Sequence, residues 1–335
     1  MIYLLDVAKI VTIPLIPKAL GLPRAICYSG LHFGPCRIRY SEEKTNEFLK
    51  ILIRLTIKIV FFSRFFVTLP SIFEKEFMRP LILISNDDGY EAKGINSLVD
   101  MVRHLGDVLV CAPEGPRSGM ACAFSATEPL TLTLRREEDG VQVWSCNGTP
   151  VDCVKMALAE LCPRKPDLVI GGINHGDNGS VNTHYSGTMG VTVEGCLKYI
   201  TSVAYSLCDH RADADFEPLR PYIVKMTAQL LKTGLPKGVC LNVNFPLMPA
   251  FKGVRVCRMA KGTWYNETMK YHHPRGYDYW WMVGHFRNDE PEAEDTDNWA
   301  LTHGYVAVTP TRVDVTAYEF MDELKGMMDI MDKQK

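Results

Sequence analysis

The 335-residue sequence lacks the short motifs that assign many enzymes to a class directly. It contains no Gly-x-x-x-x-Gly-Lys-Ser/Thr loop, which excludes a P-loop nucleotide site. It contains no Gly-x-Ser-x-Gly elbow, so an acyl-transfer serine enzyme is not supported. Its formal net charge is only -2, which gives no general reason to expect binding to nucleic acid or to an anionic membrane.

The cysteines also lack an organised pattern. There are eleven, an odd number, and none belongs to a Cys-x-x-Cys pair. Most lie in apolar runs, among them Cys111, Cys153, Cys196 and Cys240. Such cysteines are typical of small buried hydrophobic residues in a reducing cytosol, not of a disulfide framework or a zinc site. We therefore expect a cytoplasmic protein.

Long uncharged apolar runs are missing as well. The most apolar segment, residues 49–69, is interrupted by four basic residues, namely Lys50, Arg54, Lys58 and Arg64. A membrane-spanning helix needs about twenty nearly uncharged residues, and no ordered signal-peptide pattern occurs. Two interpretations of residues 1–77 remain: a basic amphipathic helix lying on a membrane, or a segment outside the functional protein, with translation starting at Met78. We favour the second and expect no membrane partner.

From Met78 onward, strand-like and helix-like patterns alternate. The apolar run Leu81–Ser85 is followed by apolar residues at helical spacing in residues 95–105. Further strands are predicted at residues 107–112, 167–173, 201–206, 239–243 and 304–309, and further helices at 151–161, 187–199, 219–232 and 319–331. This order predicts an α/β fold with a mainly parallel sheet and right-handed crossovers.

Two segments depart from this alternation. Residues 131–134 and 141–144 alternate polar and apolar around a turn at Gly140, which predicts a β-hairpin. Residues 262–299 are rich in Tyr, Trp, His and acidic residues and have little helical period, which indicates a loop or a hairpin arm that could contact another subunit. A solvated acidic loop is an equally good interpretation of residues 289–297. We therefore expect one domain over residues 78–335, with an arm at about 262–300.

Oxygen-bearing side chains follow three of the predicted strands. Asn86-Asp87-Asp88-Gly89 follows the first strand, Arg117-Ser118-Gly119 the second, and residues 171–179 include Asn174. If the strands are parallel, these loops meet at one edge of the sheet. The candidate ligands Asp87, Asp88, Ser118 and Asn174 all offer oxygen, which suits a hard divalent cation. Each could instead serve only as a turn or cap residue.

A second group of residues could bind an anion. Asn147-Gly148-Thr149-Pro150 and Tyr185-Ser186-Gly187-Thr188 each precede or open a predicted helix. Small residues let a phosphate approach free backbone N–H groups at a helix N-terminus. Ordinary N-capping explains the same residues equally well. His175, beside Asn174, is a candidate acid or base.

The ordered set of these motifs resembles the SurE family of survival-protein nucleotidases. The motifs are Ser85-Asn86-Asp87-Asp88-Gly89, Arg117-Ser118-Gly119, Gly148-Thr149-Pro150-x-Asp152-Cys153, Gly172-Ile173-Asn174-x-Gly176-x-Asn178-x-Gly179, Tyr185-Ser186-Gly187-Thr188 with Glu194-Gly195, and Gly304-Tyr305-Val306-Ala307-Val308-Thr309-Pro310. The resemblance covers Met78 to about Met331 and leaves residues 1–77 unmatched. It implies a Rossmann-like three-layer core with an arm extension and a C-terminal helix, and a homodimer or homotetramer with exchanged arms.

The resemblance also implies an activity: divalent-metal-dependent removal of phosphate from nucleoside 5′-monophosphates, and from 3′-monophosphates as well. The family's metal ligands fall on Asp87, Asp88, Ser118 and Asn174, with one Mg²⁺ or Mn²⁺ per subunit. Asp87 and Asp88 are the expected catalytic residues. The expected phosphate or substrate contacts are Asn86, Gly148, Thr149, Asn178, Ser186, Gly187 and Thr188. Two alternatives stay open: action on polyphosphate ends, and a non-catalytic sensor of metal and nucleotide.

Overall fold

Strand β1, Leu81–Ser85, shows why helices cover both faces of the sheet. All five of its residues are buried. Ile82 and Ile84 belong to one hydrophobic cluster, whereas Leu81 and Leu83 belong to a separate one. Because successive side chains of a strand point to opposite faces, an unbroken apolar run needs apolar cover on both sides. The first predicted strand is therefore a central strand of the fold.

The computed structural model of the protein describes residues 78–332; the expectations for residues 1–77 lie outside this range. The other strands are β2 (Asp107–Pro113), β3 (Leu132–Glu138), β4 (Val141–Cys146), β5 (Leu168–His175), β6 (Thr201–Leu207), β7 (Val239–Phe245), β8 (Val254–Val256), β9 (Gly262–Tyr265), β10 (Thr268–His272), β11 (Asp278–Met282), β12 (His285–Asn288) and β13 (Val306–Arg312). Among these residues, nine strands form one sheet in the order β3-β4-β2-β1-β5-β6-β7-β13-β8.

The directions of the strands determine where in the sheet the site lies. Neighbouring strands of the large sheet are parallel, except that β3 is antiparallel to β4 and β13 to β7. The chain builds the sheet outward from β1, with β2 on one side and β5 on the other. The gap between β1 and β5 is therefore a topological switch point, where the loops after the two strands diverge and leave a crevice.

Helices cover both faces of the sheet. They are α1 (Lys93–Val102), α2 (Pro150–Met156), α3 (Gly187–Leu197), α4 (Arg220–Thr233) and α5 (Asp297–Thr302). A further helix, α6 (Met321–Asp332), follows near the C-terminus, and its residues 321–329 are exposed. Leu98 of α1 and Ile223 of α4 join the cluster that contains Ile82. Cys153 of α2 and Val191 of α3 join the opposite cluster. The predicted three-layer, mainly parallel α/β architecture is confirmed.

The predicted arm is a nested pair of hairpins. Strand β9 pairs antiparallel with β12, and β10 pairs antiparallel with β11 inside the connection between them. The short helix α5 and strand β8 were not expected. The solvated-loop interpretation of residues 289–297 is wrong at its last two residues, because Thr296 and Asp297 are fully buried. Among residues 78–332, no helix combines the length and the apolar composition that crossing a membrane requires.

Candidate metal and phosphate site

Strand β1 ends in a tight loop, which is closed by the side chain of Asn86. Asn86 Oδ1 accepts a hydrogen bond from the Gly89 N–H at 3.2 Å, and Asn86 Nδ2 donates to the Gly89 carbonyl at 3.0 Å. Gly89 has φ +101°, which favours glycine because it has no Cβ. The loop thus holds Asp87 and Asp88 at the edge of the sheet. The Asn86 amide, a predicted substrate contact, is engaged within the loop.

Asp87 is a buried carboxylate, with only 5% of its surface exposed. Burial raises the pKa of Asp87 to about 6, because loss of water disfavours the charged form. A hydrogen bond from Thr188 Oγ1 to Asp87 Oδ1, 2.5 Å long, opposes this rise, and the negative charge of Asp88 adds to it. The charge of Asp87 is therefore only partly stabilised by its neighbours.

Asp88 lies beside it and is half-buried. Burial raises the pKa of Asp88, while a hydrogen bond from the His175 N–H and the imidazoles of His175 and His210 oppose the rise. The N–H of His175 donates to Asp88 Oδ2 at 3.2 Å. Within residues 78–332, no lysine or arginine forms an ion pair with either aspartate. A cation between the two carboxylates would relieve their repulsion.

Each of the two other predicted ligands is adjacent in sequence to a residue that contacts one of the aspartates. The Arg117 N–H donates to the Asp87 carbonyl at 2.7 Å, and Ser118 is the next residue along the chain. Asn174 immediately precedes the His175 N–H that binds Asp88. Ser118 is exposed, whereas Asn174 is buried. Three loops predicted from sequence to converge are therefore joined by hydrogen bonds at this edge.

The available oxygens fit a hard divalent cation. Asn174 Nδ2 donates to the Gly176 carbonyl at 2.8 Å, which leaves Asn174 Oδ1 as the atom that can take a cation. In the described part of the chain, no three His, Cys, Asp or Glu side chains are grouped to hold a metal, so a cation here depends on Ser118 and Asn174 as well as on the aspartates. A hydroxyl, an amide oxygen and two carboxylates are the ligand types that Mg²⁺ and Mn²⁺ accept.

The predicted anion-binding residues act first as helix caps. Thr149 Oγ1 accepts from the Asp152 N–H at 3.1 Å and donates to the Ala123 carbonyl at 2.7 Å. The Asp152 carboxylate in turn accepts the Thr149 N–H at 2.9 Å, which completes a capping box on α2. A Cβ on Gly148 would lie 2.7 Å from Asp152 Oδ2, so this turn is tightly packed.

The N-terminus of α3 meets Asp87. Ser186 Oγ caps the helix by accepting from the Met189 N–H at 3.0 Å, and the Thr188 hydroxyl is bound to Asp87. A Cβ on Gly187 would lie 2.7 Å from Asp87 Cβ, so only glycine fits there. Phosphate contacts from Gly148, Thr149, Ser186, Gly187 and Thr188 stay predictions.

Asn178 belongs to a buried polar network that the sequence did not suggest. Its N–H donates to Asn244 Oδ1 at 2.7 Å and its Nδ2 to Ser206 Oγ at 2.8 Å. Asn242 Nδ2 donates to the Asn178 carbonyl at 2.7 Å, and Asn244 Nδ2 donates to Asn242 Oδ1 at 2.8 Å. The sequence does contain a pattern that could have indicated this network: Asn242 and Asn244 share one face near the end of an otherwise apolar strand.

The side chain of His175 faces away from Asn174. Its Nδ1 donates to the Arg211 carbonyl at 2.9 Å, and its ring meets Phe216 edge-on with the centroids 5.0 Å apart. A Cβ on Gly94 of α1 would lie 3.4 Å from His175 Nε2. The backbone N–H of His175, and not its ring, is hydrogen-bonded to Asp88. The acid–base role of His175 stays a prediction.

The fold and the site define a class: an α/β protein with adjacent acidic and oxygen-bearing side chains at the carboxyl edge of a mainly parallel sheet. The family model described as "Survival protein SurE" matches residues 82–266. The chain belongs to this family.

Relatives and a solved structure agree with this membership. The chain is 60% identical to the 5′-nucleotidase SurE of Phocaeicola vulgatus over 248 residues, which is 74% of this chain and 96% of that protein. It is 55% identical to the 5′-nucleotidase SurE of Bacteroides thetaiotaomicron over 251 residues, or 75% of this chain and 97% of that protein. It is also similar to the crystal structure of the SurE protein from Aquifex aeolicus, with 35% identity, a TM-score of 0.64, and coverage of 74% of this chain and 100% of that one. The predicted resemblance and enzyme class are confirmed.

Proposed function

We propose that this protein is a divalent-metal-dependent phosphohydrolase that removes phosphate from nucleoside 5′-monophosphates. The observation that carries the proposal is the pair Asp87 and Asp88, linked by the Arg117 and His175 N–H groups to two further loops at the switch point. The 5′-nucleotidase names of the relatives support the substrate class.

The residues divide the work as follows. Asp87 and Asp88 supply the negative charge that holds a cation, and Ser118 and Asn174 complete its oxygen shell. A divalent cation held there would supply positive charge to the phosphoryl group and would lower the pKa of water. Burial of Asp87 keeps this charge in a poorly solvated setting, where electrostatic stabilisation of phosphoryl transfer is strongest.

The finer features of the proposal come from the family resemblance. They are action on 3′-monophosphates, Mg²⁺ or Mn²⁺ as the metal, assembly as a homodimer or homotetramer, and a cytoplasmic location. An exopolyphosphatase activity at the same site is the second candidate for the reaction. Comparing phosphate release from AMP, GMP, 3′-AMP and polyphosphate by the full chain separates these activities, and we expect the 5′-monophosphates to be hydrolysed fastest.

The metal dependence is tested on the same assay with Mg²⁺, Mn²⁺, Co²⁺ or EDTA. We expect EDTA to abolish phosphate release and Asp88→Asn to lower turnover at least about 100-fold, because half of the cation-holding charge is lost. The control is Asp139→Asn, which changes an exposed aspartate in the turn between β3 and β4 and should keep wild-type turnover. Nucleotide binding without phosphate release under every metal would establish the sensor alternative instead.

A further inference from the structure

Among the described residues, the Thr188 hydroxyl has one hydrogen-bond partner, Asp87. Thr188 is the second residue of α3 and has no solvent-exposed surface. Its hydroxyl donates to Asp87 Oδ1 at 2.5 Å, a length typical of strong O–H···O⁻ hydrogen bonds. The family resemblance implied that this residue contacts phosphate, whereas its hydroxyl is directed to a carboxylate.

A hydroxyl has only one proton to donate. The oxygens of a phosphate monoester dianion are acceptors, so a bond from Thr188 to phosphate requires the same proton that Asp87 already accepts. Both contacts therefore cannot be made at once. Asp87 must be ionised to hold a cation. In that state its carboxylate accepts the Thr188 proton through the 2.5 Å hydrogen bond.

The backbone around Thr188 is fixed from two sides. A Cβ on Gly171 of β5 would lie 2.5 Å from the Thr188 carbonyl, so the helix packs directly on the strand. A Cβ on Gly187 would lie 2.7 Å from Asp87 Cβ, so the helix start also packs directly on the aspartate. Thr192 Oγ1 donates to the Thr188 carbonyl at 3.1 Å. The backbone of Thr188 therefore cannot shift toward a substrate without moving α3, and its hydroxyl in this position is directed to Asp87.

From this geometry we propose that Thr188 is a positioning residue, which fixes the orientation of the Asp87 carboxylate toward the cation and does not bind phosphate. The proposal rests on the metal-dependent function proposed above. Residues that orient a metal ligand typically change metal affinity by about 10–100-fold when they are removed. A phosphate ligand would instead change the affinity for nucleotide.

The test measures Mn²⁺ affinity directly, by calorimetry or electron paramagnetic resonance on the full chain without substrate. Thr188→Val removes the hydroxyl and keeps the shape, and we expect it to weaken Mn²⁺ binding at least about tenfold. Thr188→Ser keeps the hydroxyl and should restore affinity to within about threefold of wild type. Thr227→Val on α4 is the matched control, because its buried hydroxyl is bonded to Tyr205, and it should bind Mn²⁺ as the wild type does.

Kinetics at saturating Mn²⁺ complete the test. We expect Thr188→Val to leave KM for AMP within about threefold of wild type, since no phosphate contact is lost. Unchanged Mn²⁺ affinity would overturn the proposal, whether KM for AMP rises tenfold or stays the same. If Thr188→Val does not fold, Thr188→Ala takes its place with the same expected results. Mn²⁺ binding is read without turnover, so a wild-type protein that binds Mn²⁺ but hydrolyses no nucleotide contradicts the proposed function alone.

Discussion

At the scale of single residues, the site depends on two adjacent carboxylates that share one buried edge. The meeting of these residues at one edge was predictable, because two acids after a buried strand and two oxygen donors after other strands form an unusual pattern; their role as metal ligands stays a prediction. The hydrogen-bond partners were not predictable. Thr149 and Ser186 could cap helices or bind phosphate from sequence alone, and the structure shows the caps. For Thr188, the sequence indicates a hydroxyl donor at a helix N-terminus, but no sequence pattern shows that Asp87 receives its proton.

Asp152 provides a stability prediction with a pH dependence. Burial alone would raise the pKa of Asp152, but hydrogen bonds from the Thr149 and Ser125 N–H groups and the Ser125 hydroxyl lower it overall. We expect Asp152→Asn to reduce the free energy of unfolding by about 1–2 kcal/mol at pH 7, because the amide has one acceptor oxygen in place of two.

The sign of the pH dependence follows from the lowered pKa. The stabilisation by Asp152 is complete above the unfolded-state pKa of about 3.9 and is lost as the pH falls through the lower pKa of the folded state. The unfolding free energies of the wild type and of Asp152→Asn, measured in urea, should therefore differ at pH 7 and approach each other as the pH falls below about 4. Asp100→Asn, on an exposed position of α1, is the control. A difference in unfolding free energy between the two proteins that grows at acidic pH would contradict this account of the capping box.

At the scale of secondary-structure elements, the buried carboxylate of Asp297 links the base of the arm to the segment that follows Asn178. Asp297 Oδ2 accepts the Ser180 N–H at 2.7 Å, and its Oδ1 accepts the Ala260 N–H at 2.9 Å and the Asn298 N–H at 2.8 Å. Trp264 on β9 adds a hydrogen bond from Nε1 to Asn182 Oδ1 at 2.9 Å. The base of the arm is thus tied to residues just after Asn178.

The strong periodicity of the sequence made most strands and helices predictable. The attachment of the arm through Asp297 could not be predicted. Strand β8 has three residues and helix α5 has six, too few to establish a period. Asp297 closes a run of acidic residues that looked solvated, because composition does not show which member of a charged run meets buried N–H groups. The arm itself was predictable from its aromatic composition, but the pairing of its strands was not.

Asp297→Asn tests the attachment of the arm. An amide has a single acceptor oxygen and would place N–H donors against backbone N–H groups, so we expect a loss of about 1–3 kcal/mol in the free energy of unfolding. Hydrogen–deuterium exchange should rise in residues 260–288 before it rises in β1. The matched control is Asp289→Asn, because Asp289 forms an exposed ion pair with Arg287 and should change stability by less than about 1 kcal/mol. Unchanged exchange in the arm would contradict the attachment.

At the scale of the whole molecule, the parallel sheet is what brings distant residues together. Asp87 and Asn174 lie 87 positions apart, counting 174 − 87, yet their strands β1 and β5 are neighbours. The convergence of these residues could be predicted, because a chain of alternating strands and helices forms a parallel sheet. The carboxyl ends of neighbouring strands then lie at the same edge. Residues 1–77 and the assembly of subunits stay at the level of prediction, because neither a partner chain nor that segment belongs to the described structure.

The most direct test of the metal site is a crystal of the full chain grown with Mn²⁺ and measured for anomalous scattering. We expect one strong anomalous peak within coordination distance, about 2.0–2.3 Å, of oxygens from Asp87, Asp88 and Asn174, with Ser118 closing the shell. The peak should vanish in Asp88→Asn. A strong peak elsewhere, or none at a Mn²⁺ concentration that supports full turnover, would contradict the account.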